Sequence, residues 1–335
     1  MGVNLPATEV PERADTIRDV LVGAGARTVD VTDHPDEAIL AVHSPELLRF
    51  LSSAWDDWAG DGMLDDPGQD RVVAYIFPHP GLTAGLSPRQ PASASARTGF
   101  YCFDTTTALG QGTWRAARAA VDCALTAADL VLESEGAAYA CCRPPGHHVT
   151  HTCYGGSCFL NNAAVAARYL RDAGAGRVAV LDIDAHQGNG TQQIFYADET
   201  VLTCSVHVDP AAGWFPHFLG FADERGAGPG EGTNLNLPVV PGTADEGWLG
   251  AVTEAVAAVQ AHGSEALVVP LGVDAAAADP ESPLEVTADG YREAGRLLGA
   301  LRLPTVLVQE GGYHLASLGG LVLAALEGFE EGASA

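Results

Sequence analysis

Asp184, His186 and Asp274 have the residue types and spacing to hold one metal ion. The His147-His148 pair and Tyr313 could carry proton and oxyanion chemistry beside it. Asp182, Asp184 and His186 are spaced by two, so in a strand they point to one face. Asp274 would reach the same ion from another strand. Three protein ligands leave a coordination position open for water or substrate, as a catalytic metal site requires. Two carboxylates and one imidazole suit Zn²⁺, and also Fe²⁺, Co²⁺ or Mn²⁺. Two histidines directly after Pro144-Pro145-Gly146 need a rigid turn to present both rings. In metal-assisted amide hydrolysis a water has to lose a proton and the departing amine has to gain one, and histidine is the usual residue for both. Asp182 and Asn189 are natural partners for fixing the two rings. Tyr313, after the flexible Gly311-Gly312, can donate to an oxyanion. Alone, each feature has an ordinary structural reading: a polar strand end, a surface histidine loop, a turn with a packed aromatic. Their convergence is what argues for chemistry.

That convergence depends on the elements behind it. Six apolar segments read as buried strands: Val72–Phe77, Ala137–Cys142, Arg177–Ile183, Val201–Val208, Ala266–Gly272 and Thr305–Gln309. Amphipathic helices are expected over Trp114–Leu132, Ala163–Asp172, Glu246–His262, Ala288–Leu301 and Leu315–Phe329. Alternating strands and helices predict an α/β fold, a mostly parallel sheet with helices on both faces. The histidine pair, the Asp182–His186 run, His207, Asp274 and Tyr313 each follow or end a predicted strand. In an open parallel sheet, ligands bind at the carboxyl ends of strands. The proline-rich stretch Leu64–Pro91 and the glycine-rich stretch Asp209–Pro241 read as long loops on that side. No linker or internal repeat divides the chain, so one domain over residues 1–335 is expected.

The chain of 335 residues is 47% apolar, with a net charge of -26 carried by 17 arginines, no lysine and 43 acidic residues. Such a surface repels nucleic acid and attracts cationic substrates, although acidity also serves solubility alone. Seven cysteines without a CxxC pair do not form a disulfide framework. No leader and no apolar run near ~18 residues is seen, and Gly2 lacks the myristoylation spacing. A soluble, cytoplasmic protein with no membrane contact is expected.

Together these residues resemble the histone deacetylase superfamily, and within it the bacterial acetylpolyamine deacetylases. The similarity runs from about Pro11 to Glu330 through RPPGHH (143–148), FLNNAAVAA (159–167), LDIDAHQGNGTQ (181–192), LGVD (271–274) and EGGY (310–313). GTWRAARAAVD (112–122) and FADERGAGPGEGTNLNLP (221–238) point to the polyamine branch. The resemblance implies an arginase/deacetylase-like three-layer fold around an eight-stranded, mostly parallel sheet. It implies Zn²⁺ on Asp184, His186 and Asp274, with His148 as general base and His147 as its electrostatic or acid partner. Tyr313 would polarise the acyl carbonyl, Asp182 would support His147, and Asn189 would support His148. It also implies structural K⁺ held by Asp182, Asp184, His186, Ser205 and Val206. Substrate contacts would come from Asp104, the Gly156 carbonyl, Ser157 and Phe215. A homodimer is implied as well.

The departures from the family pattern cluster around the channel. Gln187 stands where a second histidine is common, Ala185 where a bulkier residue is usual, and Ser157 where an aromatic lines the tunnel. AAAADP (275–280) replaces a bulkier loop, while Phe215 on the opposite wall is kept. These changes leave the metal and proton-transfer residues in place and predict a wider or more polar channel. The leading expectation is a deacetylase acting on a small acylated amine such as an acetylpolyamine. The alternatives are a deacylase of a bulkier biosynthetic amide, or a metal-binding member with weak or no hydrolysis. An arginase-like reading would need a second metal's ligand set.

Overall fold

The computed structural model describes residues 7–66 and 68–335, so Gly2 and Pro67 lie outside the described residues. The N-terminal third is helical: α1 (Glu12–Gly23), α2 (Asp36–Leu40), α3 (Pro45–Gly60), α4 (Pro80–Thr83), α5 (Ala94–Tyr101) and α6 (Thr113–Leu130). The α/β part follows in the order β1 (Ala137–Ala140), α7 (Asn162–Asp172), β2 (Val178–Asp182), α8 (Asn189–Phe195), β3 (Val201–Val208) and β4 (Asn234–Val239). It ends with α9 (Asp245–His262), β5 (Ala266–Leu271), α10 (Ala288–Gly299), β6 (Thr305–Gln309) and α11 (Leu315–Ser334).

The strands form one sheet in the order β1-β6-β5-β2-β3-β4, and every pairing is parallel. Period-two alternation sends side chains to two separate cores. Val178, Val180, Val268 and Val306 pack with helices α3, α6 and α7. Ala179, Leu181, Val269 and Leu307 pack with α1, α9, α10 and α11. Both faces of the central strands are therefore buried, which is why they read as continuous apolar runs. Helix starts are set locally. The Ser44 side chain accepts from Leu47 N with Pro45 in the first turn of α3, and the Asn161 side chain accepts from Ala164 N to cap α7.

The α/β class and the helices on both faces agree with expectation, but the strand set does not. Val72–Phe77 is not a strand. Val72 makes one isolated antiparallel bridge to Leu109, and Tyr75 and Ile76 are exposed. Helix α5 occupies the place a neighbouring strand would need: a Cβ on Gly99 would lie 1.7 Å from the Ile76 carbonyl oxygen. Conversely, Asn234–Val239, inside the stretch read as loop, is strand β4. Its Asn-Leu-Asn pattern lacks the apolar signature because the asparagines serve a polar network, and Pro238 is tolerated because β4 is an edge strand. Six strands of the expected central parallel sheet are found among the described residues.

Candidate active site

All the chemistry-bearing residues lie at the carboxyl ends of the strands. Strand β2 ends at Asp182 and turns directly into Asp184 and His186, while Asp274 follows β5, its parallel neighbour. Ligand atoms of Asp184, His186 and Asp274 all lie within 4.8 Å of one another. His186 Nδ1 is 3.2 Å from Asp184 Oδ1 and 3.0 Å from Asp274 Oδ2. Backbone amides orient the carboxylates. Ala185 N donates to Asp274 Oδ1 at 2.8 Å, and Gly311 N donates to Asp184 Oδ2 at 2.7 Å. The site is moulded tightly around these groups. A Cβ on Gly272 would stand 2.1 Å from Asp184 Oδ2, and one on Gly311 would stand 2.2 Å from Asp274 Oδ2.

The donor set fits a divalent cation. Two buried carboxylates sit side by side, and burial together with the Asp184 charge pushes Asp274 up to about 7. Burial opposes a proton on His186, yet Asp184 and Asp274 overcome it and hold that proton well above the usual range. The same attraction would hold a metal ion in the proton's place. Asp182 and Ser205, two of the residues expected to hold potassium, are register partners on β2 and β3.

The histidine pair follows β1 on a loop fixed from below. Glu310 Oε2 accepts from Gly146 N at 2.6 Å and His147 N at 3.1 Å. Asn161 Nδ2 donates to the Val149 carbonyl at 3.1 Å, tying the loop to the start of α7. The two rings lie 4.0 Å apart, tilted by 43°. Their partners differ, and so does their charge. His147 Nδ1 donates to Asp182 Oδ2 at 2.9 Å. Burial alone would lower its pKa, but Asp184 and Asp182 outweigh burial and lift it to about 10. His148 Nδ1 donates to the neutral Asn189 Oδ1 at 2.7 Å. Burial, reinforced by His147 and His186, pushes His148 well below 6.5. The two environments push the rings in opposite directions, His147 towards the cation and His148 towards the neutral ring, an acid and base set apart by their partners.

Tyr313 is held by its backbone. Asp279 Oδ2 accepts from Tyr313 N at 2.6 Å and His314 N at 3.1 Å. Arg13 donates to Gly312 O at 2.6 Å and Glu310 O at 2.5 Å, with its guanidinium 4.7 Å from the Tyr313 ring centre. Burial raises the phenol well above 10, so it remains an O–H donor. Sequence reading missed Arg13, Asp279 and Glu310. A signal existed for Arg13, a lone arginine among the apolar positions of α1 that is 1% exposed.

The rim residues are placed differently. Asp104 Oδ1 accepts from Thr106 N and Thr107 N, while Oδ2 accepts from Thr107 Oγ1 and, at 2.6 Å, from Gly156 N. Its carboxylate therefore holds the Gly156-Ser157 turn. Ser157 N is held in turn by Thr107 Oγ1 at 2.8 Å, and Ser157 has φ of 63°. Phe215 stands over the centre, its ring 4.8 Å from that of His148 and 6.4 Å from that of His186. Gln187 joins a buried network in which Gln192 donates to Glu224, and Glu224 accepts from Gly220 N at 3.0 Å, fixing the end of the Phe215 loop.

The chain matches the histone deacetylase domain family over residues 7–329. It is 41% identical over 328 residues to acetylpolyamine amidohydrolase of Mycoplana ramosa, covering 98% of this chain and 93% of that protein. To acetylpolyamine amidohydrolase 2 of Pseudomonas aeruginosa it is 39% identical, covering 98% of this chain and 93% of that one. The crystal structure of acetylpolyamine aminohydrolase from Burkholderia pseudomallei superimposes with a TM-score of 0.93 at 40% identity, covering 99% of this chain and 94% of that one.

Proposed function

Because the chain belongs to the histone deacetylase family, we propose that it is a zinc-dependent amide hydrolase that removes an acetyl group from a small amine of the acetylpolyamine class. The observation that carries this reading is the opposite tuning of two adjacent imidazoles above a three-ligand cluster. Asp184, His186 and Asp274 would hold the zinc, which when bound polarises the amide carbonyl and acidifies a water. His148 Nε2 accepts the proton of the attacking water, with Nδ1 fixed by Asn189. His147 supplies positive charge close by and stands ready to protonate the departing amine. Tyr313 donates its hydroxyl hydrogen bond to the acyl oxygen as that oxygen gains charge.

The acidic chain favours a cationic amine substrate and disfavours nucleic acid. Asp182, Ser205 and their neighbours would hold the potassium ion. Seven free cysteines fit a reducing cytoplasm, and among the described residues no helix is long and apolar enough to cross a membrane. Pairing of two copies fits the exposed Leu82, Leu86 and Phe218 on the long loops.

The test is turnover by the Zn²⁺-loaded and Fe²⁺-loaded protein on acetylputrescine, acetylspermidine, an acetyl-lysine peptide and bulkier N-acyl amines. Cleavage of the acetylated small amines is expected, with Tyr313→Phe lowering kcat by about 10²- to 10³-fold. Preference for the bulkier amides would favour the biosynthetic reading to which the small Ser157 points. Metal-loaded protein that cleaves none of them would establish the binding-only alternative.

A further inference from the structure

The sequence leaves one wall of the substrate channel without an aromatic, since Ser157 occupies the position expected to supply it. We infer that Phe103 supplies this wall instead, paired with Phe215, and that the pair selects slender, unbranched acyl-amines. The inference rests on the amide-hydrolase reading above and adds a specificity-determining residue to it. Phe103 is only partly buried, and its ring stacks on Phe215 at 6.3 Å between centres with 25° between planes. Phe215 in turn lies over His148 and His186, so the two rings flank the approach to the reacting groups.

Phe103 is built into this position. Its backbone N donates to the Tyr154 carbonyl at 3.1 Å, and the preceding Cys102 pairs with Tyr154 in a parallel bridge. The next residue, Asp104, grips Gly156 N. Between them Gly155 leaves a notch for the ring: a Cβ there would come 2.4 Å from the Phe103 ring carbons. Two hydrogen-bonded stretches, 102–104 and 154–157, therefore carry the ring, the notch and the small Ser157. An aliphatic chain passing between two ring faces needs carbon contacts of about 3.5–4 Å on each side, or about 7–8 Å in all. The rings stand closer than that, so a methylene chain has to part them slightly and a branched one much further.

The experiment compares zinc-loaded wild type, Phe103→Ala, Phe103→Leu and the double variant Phe103→Ala/Ser157→Phe. The substrates are acetylputrescine and an N-acetyl amine branched next to nitrogen. For Phe103→Ala we expect KM for acetylputrescine to rise about tenfold, with kcat within about threefold, and the slender-to-branched kcat/KM ratio to fall about tenfold. The double variant, with a ring restored on the wall, recovers most of both effects, and Phe103→Leu falls between. Should Phe103→Ala fail to fold, Phe103→Leu and the double variant are read the same way. A lowered Tm with KM and ratio unchanged, or a loss confined to kcat, would overturn the inference. If wild type cleaves neither substrate, the function reading fails on its own. The wall is then judged by calorimetric binding of linear against branched alkyl hydroxamic acids to the zinc-loaded protein. Loss of linear preference in Phe103→Ala supports it, while unchanged preference or no binding by wild type overturns it.

Discussion

The floor of the site and its mouth are built on opposite principles. At the floor, Asp182, Asp184, His186 and Asp274 leave the ends of adjacent parallel strands, and their carboxylates are held by backbone amides and neighbouring histidines. At the mouth, the walls proposed above, Phe103, Ser157 and Phe215, are carried on turns from three distant stretches of chain. A floor fixed by sheet register leaves little freedom for a change in chemistry. A mouth fixed by turns can exchange one wall residue for another without disturbing that chemistry. Reaction and selectivity are thereby separated in space, as in other α/β enzymes whose loops vary above a constant strand edge.

The largest effects should come from breaking the floor. Asp274→Ala removes a ligand, and metal analysis after dialysis should find zinc no longer retained. Turnover should drop by about 10⁴-fold or more, the scale of deleting an essential member of a catalytic unit. Retained zinc and substantial turnover would mean that the floor is not the metal site.

A smaller floor effect concerns charge. His147 is raised from 6.5 to about 10, its two carboxylate neighbours overcoming burial. Its imidazolium, and the stability from its pairing, are therefore fully present below pH 6.5 and lost as pH rises through about 10. Asp182→Asn removes one of those charges. The alkaline fall of kcat should move to lower pH, and kcat at neutral pH should fall by about 10- to 100-fold. A pH profile with an unmoved alkaline limb would detach Asp182 from the charge state of His147.

The mouth should respond through binding instead. Asp104→Ala frees the Gly156-Ser157 turn, so KM should rise about fivefold with kcat close to wild type. If kcat fell as steeply as in the floor variants, the separation of floor from mouth would collapse.

Much of the floor was legible in the sequence because it obeys short-range geometry. Spacing by two grouped Asp182, Asp184 and His186 without knowledge of the fold, although β2 ends at Asp182 and the other two lie in the turn that follows it. Asp274 was found because it directly follows an apolar strand. At the mouth the resemblance pointed to Asp104, Gly156, Ser157 and Phe215, but Phe103 was not legible, for the same physical reason that the mouth can vary. Nothing in YCFDTTT marks Phe103 as facing Phe215, a contact more than a hundred positions away. Strand β4 was hidden because its asparagines point into a polar network, and Val72–Phe77 misled because strand-forming residues make a strand only where a partner is free to pair. Asp279 and Glu310 were invisible in their roles, since a carboxylate that accepts backbone amides looks in sequence like any other acid.

Gly272 and Gly311, with no side chain to offer, surround the carboxylates proposed to hold the metal so closely that a single methyl group would collide with an oxygen. In a catalogue of variants, alanine at either position would look chemically mild and carry no change of charge. It would nevertheless belong with the loss-of-function alleles, beside substitutions of the ligands themselves. Mutational intolerance at this protein's centre thus extends to residues defined by the space they leave empty.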